Sequence, residues 1–297
     1  MGTPEFAVAS LDALLKAGAN IVAVVTGPDK PAGRGMKLSQ SAVKKFASEN
    51  NLLVLQPEKL RNPEFISQLQ NLKADLQVVV AFRMLPEMVW DMPPLGTINL
   101  HGSLLPQYRG AAPINWAVIN GDKETGVTTF RLQHEIDTGE MLVRATMPIT
   151  EEDTAGSVHD KMMELGAKTL VETIEKLAEG NIQSLPQDES AELRKAPKLF
   201  TEDTKINWND TIDNIYNRIR GLSPYPGAFT IVNDKIFKIY KSKKIYEQPD
   251  IAIGSYKTDN KKEILFAAKD GYIAATEIQP EGKKKMPTED YLRGHQL

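Results

Sequence analysis

An asparagine and a histidine lie two residues apart at the end of an apolar run, within the segment INLHGSLLPQYRGAAP. If that run is a β-strand, the side chains of Asn99 and His101 share one face, because successive side chains alternate. A second polar loop, HEIDTGEM, carries Asp137 after another apolar run. In open α/β sheets, ligands bind at the carboxyl ends of the strands. We therefore expect Asn99, His101 and Asp137 to form one site.

An amide, an imidazole and a carboxylate suit acyl transfer without a covalent enzyme intermediate. When an amine attacks a formyl carbon, negative charge develops on the carbonyl oxygen, and Asn99 with protonated His101 could donate hydrogen bonds to it. Asp137 would hold His101 in its cationic form and help to move the proton lost by the amine, directly or through water. No G-x-S-x-G elbow surrounds the nearby Ser103, so we do not expect a serine nucleophile.

Each of these residues also has a purely structural explanation. An asparagine at a strand end and an aspartate before Thr-Gly are common turn residues, and a lone histidine usually packs in a core. Taken singly, the structural explanation is the better one. The three residues together, with a compact Gly- and Pro-containing loop between them, favour a site, although their spacing indicates only generic acyl transfer.

The elements that must position these residues follow a βαβ pattern. Short apolar runs alternate with amphipathic patterns from residue 20 to about residue 150, which is typical of a mainly parallel sheet. The predicted strands are NIVAVVT, LVLQP, DLQVVVAF, GTINLHG, GVTTFRL and GEMLVRATMPI. The predicted helices are Phe6 to Ala17, Ser41 to Glu49, Pro63 to Asn71, Pro113 to Ile119 and Thr154 to Ala178, which have apolar residues at helical spacing.

The first residues indicate a strand upstream of them. Gly2-Thr3-Pro4 is typical of the turn after a first strand, and no strand pattern precedes it. In a doubly wound fold the first strand is central to the sheet. We therefore expect the natural protein to begin several residues upstream.

Length and composition predict two domains in a cytoplasmic protein. A chain of 297 residues exceeds what one core usually supports. We expect a catalytic domain over residues 1–181, a linker over 182–203 and a second domain over 204–297, where a helix and short β runs suggest a small barrel. The chain has no cysteine, no signal peptide pattern and no apolar stretch long enough for a membrane span.

NLHGSLLPQYRGAAPINWA, with IDTGEM downstream, resembles the 10-formyltetrahydrofolate-dependent formyltransferases. The resemblance covers nearly the whole chain, including GTPEFA, GPDKPAGRGMKL, VVVAFRMLP and SPYPGAF. It implies a Rossmann-like formyltransferase domain followed by an OB-type barrel, 10-formyltetrahydrofolate as co-substrate, and a catalytic trio of Asn99, His101 and Asp137. The residues that it implies for folate binding are Ser103, Leu104, Leu105 and Pro106, with Arg83, Met84 and Leu85 around the pterin.

The acceptor amine depends on features outside the trio. Members of the family formylate glycinamide ribonucleotide, aminosugar nucleotides or methionyl-tRNA. Glycinamide ribonucleotide enzymes have no counterpart of residues 201–297, and sugar-nucleotide enzymes lack a basic loop like KPAGRGMK at 30–37. The resemblance therefore implies transfer to methionyl initiator tRNA, for translation initiation. Lys30, Arg34 and Lys37 would contact this tRNA, with Arg34 able to bond in bidentate fashion and to stack.

Other interpretations remain open. The basic loop could be an ordinary solvated loop, and the lysines of the second domain could line a solvated barrel face as readily as a tRNA contact. No metal-binding or nucleotide-triphosphate motif occurs, so we expect no metal, and we favour a monomer. The alternatives to a tRNA-directed enzyme are a formyltransferase for a small amine such as an aminosugar nucleotide, and a non-catalytic tRNA- or folate-binding protein.

Overall fold

The computed structural model describes residues 1–32, 37–188, 190 and 192–296. The chain forms two compact units, each built from three segments. The first unit contains residues 1–109, 126–147 and 160–195, and the second contains residues 110–125, 148–159 and 196–297. The domain boundaries expected at residues 181 and 204 stay predictions.

The helices agree closely with those expected from the sequence. They are α1 (Glu5–Lys16), α2 (Ala42–Glu49), α3 (Pro63–Leu72), α4 (Glu87–Trp90), α5 (Pro113–Ile119), α6 (Ala155–Ala178), α7 (Ile212–Gly221) and α8 (Thr288–Leu292). Side-chain caps explain several starts: the Ser41 hydroxyl accepts the Lys44 amide at 3.0 Å, and the Asn62 carboxamide oxygen accepts the Glu64 amide at 2.9 Å. These caps satisfy amides that the first turn of a helix leaves without a partner.

The strands of the first half of the chain are β1 (Val24–Val25), β2 (Lys30–Ala32), β3 (Lys37–Ser39), β4 (Val54–Leu55), β5 (Gln77–Val80), β6 (Thr97–His101), β7 (Arg109–Gly110), β8 (Glu124–Arg131) and β9 (Met141–Pro148). Those of the second half are β10 (Lys195–Ala196), β11 (Ala228–Val232), β12 (Lys235–Ile245), β13 (Tyr256–Thr258), β14 (Ile264–Ala267), β15 (Tyr272–Pro280) and β16 (Met286–Pro287). The sequence analysis did not predict the short helices α4 and α8 or the short strands β2, β3, β7, β10, β13 and β16.

The first unit is an α/β fold with a mixed sheet. Strands β1 and β4 are parallel, β5 and β6 are parallel, and β8 lies antiparallel to β6 in the order β5-β6-β8-β9. The Rossmann-like α/β class is confirmed, and the parallel pairing expected for most of the sheet ends at β6. This strand is hydrogen-bonded on both sides, which makes it a rigid support for whatever its carboxyl end carries.

Met1 and Gly2 lie between β1 and β5. The Gly2 amide donates to the Val25 carbonyl at 3.0 Å, and the Val80 amide donates to the Met1 carbonyl at 2.9 Å. A cavity of about 530 Å³ lies beside this pair and is bordered by residues 20–25 and 72–78. The expectation that a strand precedes Gly2 stays a prediction.

The second unit contains a curved antiparallel sheet in the order β11-β12-β15-β14-β13, with β16 paired to β15. Helix α7 buries Ile212, Ile215 and Ile219 in the core of this unit. The rings of Trp208 and Phe266 stack there, with centroids 4.8 Å apart. This curved sheet agrees with the small barrel that the β runs predict and with the OB-type domain that the resemblance implies. Among the described residues, no helix has the length and apolar character needed to cross a membrane.

Candidate active site

Strand β6 places Asn99 and His101 on one face of the first unit's sheet. Ile98 and Leu100 point to the opposite face and are buried, as the two-residue period of a strand requires. Asn99 has two register partners, Val79 on β5 and Phe130 on β8. Because both edges of β6 are paired, its backbone fixes the positions from which the two polar side chains project.

The imidazole of His101 is held at one nitrogen. Its Nε2 lies 2.9 Å from the Tyr108 carbonyl oxygen, and the ring meets Phe130 edge to face. A carbonyl oxygen can only accept, so Nε2 carries a proton and donates it. Tyr108 itself has a left-handed backbone, with φ of 60°, at the point where its carbonyl turns toward the histidine. This bond fixes the ring and leaves Nδ1 available to another partner.

The third predicted residue comes to the same place from a loop. Residues 132–140, which we call the Asp137 loop, connect β8 to β9. The Asp137 Oδ2 lies 3.8 Å from the His101 Nδ1, and the two side chains are 11% and 7% exposed. This separation is too long for a hydrogen bond. It nevertheless places a carboxylate next to the ring where both side chains are largely shielded from water.

The structure therefore places Asn99 and His101 on one face of β6 and brings Asp137 beside His101. Asn99 is half-buried, and within the described part of the chain no hydrogen bond uses its carboxamide. The amide is thus able to donate to a bound molecule. Whether the three residues catalyse a reaction stays a prediction from the sequence.

The loop after β6 is tied down internally. The Ser103 hydroxyl donates to the Gln107 carbonyl at 2.6 Å, and the Thr128 hydroxyl donates to the Ser103 carbonyl at 2.7 Å. The Leu105 amide in turn donates to Thr128, and the Leu105 side chain is fully buried against Phe130. Leu104 and Pro106 are half-buried. The Ser103 hydroxyl is thus engaged by a backbone carbonyl of its own loop.

The other segment predicted to bind folate follows β5. The Arg83 guanidinium donates to the carbonyls of Pro57 and Glu58, so this side chain fixes the segment to the chain before α3. Leu85 is buried in the apolar core. Met84 is 73% exposed, and of the three it alone presents a large apolar side chain to solvent.

The basic loop lies only partly within the described residues. Lys30 is exposed at the start of a two-stranded hairpin in which Lys30 pairs with Ser39 and Pro31 with Leu38. Lys37 begins the second strand of this hairpin. Arg34 lies outside the described residues, so its predicted contact with tRNA stays an expectation.

Two groups at the site escaped the sequence analysis. The Tyr108 carbonyl holds His101, and a backbone oxygen leaves no mark in a sequence. Gln187 lies in the segment predicted to be a linker, yet its amide binds the Asp137 loop. The one signal that the sequence offers for Gln187 is its position in a polar stretch, and such stretches are usually solvated. Within the described residues, no group of three acidic or histidine side chains could hold a metal ion.

Comparison with known families assigns the class of this fold and site. The formyl transferase family model matches residues 1–174, and the model of the formyl transferase C-terminal domain matches residues 198–296. The chain belongs to the formyltransferase family. It is 52% identical over 305 residues to the methionyl-tRNA formyltransferase of Bacteroides fragilis, an alignment that covers 100% of this chain and 94% of the relative.

Solved structures with the same fold are more distant in sequence. The N-formyltransferase from Helicobacter canadensis, in complex with folinic acid and dTDP-3-aminofucose, superposes with a TM-score of 0.66 at 22% identity, covering 94% of this chain and 97% of that one. HypX from Aquifex aeolicus, in complex with tetrahydrofolic acid, gives a TM-score of 0.60 at 21% identity, covering 82% and 43% of the two chains. At such low identity these structures support the fold alone.

Proposed function

We propose that this chain transfers the formyl group of 10-formyltetrahydrofolate to the amino group of methionyl initiator tRNA, with Asn99, His101 and Asp137 as its catalytic residues. The observation that carries the chemistry is the position of His101, whose ring lies between the Tyr108 carbonyl and the Asp137 carboxylate. A histidine held in this way can take a second proton at Nδ1 and act as a cation. Transfer of this group belongs to one-carbon metabolism, and its product serves translation initiation.

The reaction begins when the amine nitrogen attacks the formyl carbon. The carbonyl oxygen becomes an oxyanion, and the Asn99 carboxamide and the Nδ1 proton of His101 donate to it. Nε2 is already committed to Tyr108, so Nδ1 is the nitrogen that can reach a substrate. The gap of 3.8 Å to Asp137 leaves this proton free to point at the oxyanion while the carboxylate stabilises the imidazolium.

Collapse of the intermediate completes the transfer. The bond between the formyl carbon and N10 of the folate breaks, and N10 takes up one proton. The attacking amine loses one proton, which Asp137 accepts directly or through water. One carbon–nitrogen bond forms and one breaks. In this scheme Asp137 serves proton movement, and His101 stabilises the charge of the oxyanion.

The folate would lie against two segments. The loop Ser103, Leu104, Leu105 and Pro106 would face it with backbone groups and the Leu104 side chain, because the Ser103 hydroxyl and the Leu105 side chain are turned inward. The segment Arg83, Met84 and Leu85 would face the pterin through its backbone and through Met84. These assignments follow the resemblance to the family.

The acceptor is supported by the relatives. The match at 52% identity runs through both family domains, so it includes the part of the chain that lies beyond the catalytic residues. Lys30, Arg34 and Lys37 would contact the tRNA acceptor end, and the basic residues of the second domain would meet its phosphates. We further propose a cytoplasmic monomer with a linker over residues 182–203.

An acceptor competition tests this function. The protein is incubated with 10-formyltetrahydrofolate and either charged initiator tRNA or an aminosugar nucleotide, and the products are separated. We expect formylmethionine on the tRNA and no formylated sugar. Turnover on the sugar nucleotide alone would make the small-amine enzyme the correct assignment. Binding of tRNA or folate without turnover on either acceptor would favour a non-catalytic protein.

A further inference from the structure

The side-chain amide of Gln187 joins two loops of the first unit. Its Nε2 donates to the Asp137 carbonyl at 2.7 Å and to the Gly139 carbonyl at 2.8 Å. Its Oε1 accepts from the Nε and Nη2 of Arg109 at 2.9 and 2.7 Å. Carbonyls only accept and a guanidinium only donates, so these partners permit a single orientation of the amide. All four bonding positions of Gln187 are used.

The Asp137 loop needs such a hold. Asp137 has a left-handed backbone, with φ of 57°, which is uncommon for a residue other than glycine and persists where the surroundings enforce it. The two carbonyls that Gln187 binds lie on either side of Thr138, so the amide spans the turn. The direction of the Asp137 side chain follows from its backbone. A contact that fixes this carbonyl therefore also aims the carboxylate at His101.

The other half of the amide is connected to His101 as well. Arg109 follows Tyr108, whose carbonyl binds the His101 Nε2. Gln187 is held in turn by its own segment, because Leu185 and Met141 exchange both backbone hydrogen bonds, at 2.8 and 2.9 Å. One side chain thus links the loop that holds the ring of His101 to the loop that carries its carboxylate partner.

We propose that Gln187 is a positioning residue that sets the place of Asp137 relative to His101. All hydrogen-bonding positions of its side-chain amide are occupied by protein groups, so Gln187 acts through Asp137 and not on the substrate. The kinetic part of this inference rests on the proposed function, whereas the structural part does not.

Hydrogen exchange tests the structural part. We expect Gln187→Leu to raise amide exchange in residues 132–140 at least tenfold, with little change in β6. Gln183→Leu is the matched control, since Gln183 is an exposed glutamine of the same segment. Gln187→Glu separates the two halves of the contact: a carboxylate still accepts from Arg109 but has no proton for the two carbonyls. Unchanged exchange in both Gln187 variants would overturn the proposal.

Single-turnover formyl transfer tests the kinetic part. A misplacement of the order of 1 Å can cost roughly 100-fold in rate, so we expect Gln187→Leu and Gln187→Glu to lower the rate about 10- to 100-fold with folate KM nearly unchanged. In an Asp137→Asn background, Gln187→Leu should have almost no further effect, since the residue to be positioned has lost its charge. Equal losses in both backgrounds would show that Gln187 does not act through Asp137 and would overturn the proposal.

The two proposals fail separately. If the wild type forms no formylmethionine but Gln187→Leu still raises exchange in residues 132–140, the proposed acceptor is wrong and the positioning role of Gln187 remains. If the wild type is active and Gln187→Glu matches it in rate and exchange, the positioning role is wrong and the proposed function remains. If the Gln187→Leu variant does not fold, the test rests on Gln187→Glu, which keeps the Arg109 contact.

Discussion

The backbones that carry His101 and Asp137 are held by different means. Strand β6 is paired with β5 on one side and β8 on the other, so the main chain alone fixes His101. Asp137 lies on a loop with a left-handed backbone, and a glutamine side chain 50 residues away holds it. A strand thus supplies its own support, whereas a loop residue depends on distant side chains. We expect the loop to be the more easily disturbed of the two.

Removal of a catalytic side chain should have the largest effect. His101→Ala deletes a donor to the oxyanion, and loss of one such donor typically costs about 100- to 1,000-fold in kcat. Because β6 is rigid, the variant should fold normally and bind folate with an affinity close to that of the wild type. The measurement is kcat for formyl transfer together with folate binding by fluorescence. Near-normal turnover would remove His101 from the mechanism.

A substitution confined to the loop should come next. A Cβ on Gly139 would lie 1.6 Å from the Arg131 carbonyl oxygen, so Gly139→Ala forces the Asp137 loop to move. We expect a loss of about 1 to 3 kcal/mol in the free energy of unfolding and a fall in kcat. Gly27→Ala is the control, since no atom of the described residues, apart from its own sequence neighbours, lies within 4 Å of the added Cβ. If both variants unfold and react like the wild type, the loop is not constrained as described.

The contrast between strand and loop also marks what a sequence can predict. The alternation of Ile98, Asn99, Leu100 and His101 predicts a strand with two polar residues on one face, and the structure has it. The segment IDTGEM points to Asp137 through the resemblance to the family. The contacts that orient these residues join positions apart in the sequence: Tyr108 lies 7 residues after His101, and Gln187 lies 50 residues after Asp137. Such pairs follow no period, so the closeness of His101 and Asp137 could be expected from the sequence, but the groups that support these two residues could not.

A residue outside both regions should affect binding and not rate. Arg34→Ala should raise KM for tRNA about tenfold and leave KM for folate and kcat nearly unchanged, because a charged hydrogen bond contributes about 1.5 kcal/mol or more. Lys168→Ala provides a control with an exposed cation on α6. Equal changes in both Michaelis constants would move Arg34 out of the tRNA role.

The smallest effect is expected at an ion pair of the second unit, far in sequence from His101 and Asp137. A hydrogen bond from Lys244 lowers the pKa of Asp213, and the Lys244 Nζ lies 2.7 Å from the Asp213 Oδ1. A lowered carboxyl pKa stabilises the fold above the unfolded value of about 3.9, and this contribution is lost as pH falls through the folded value.

Thermal unfolding across pH tests this contact. Asp213→Asn should cost about 0.5 kcal/mol near neutral pH, as usual for an exposed ion pair, and the difference from the wild type should vanish in acid. Asp234→Asn, in the turn between β11 and β12, is the control. A difference that persists unchanged in acid would show that the charge of Asp213 is not its source.

The most direct test of the account is the single-turnover rate of formyl transfer to charged initiator tRNA by Asp137→Ala, measured beside the wild type. Loss of a group that moves a proton typically costs about 100- to 10,000-fold. We predict formylmethionine from the wild type, a rate at least about 100-fold lower from the variant, and folate affinities within about twofold of each other. A variant that transfers the formyl group at the wild-type rate would contradict the assignment of the site.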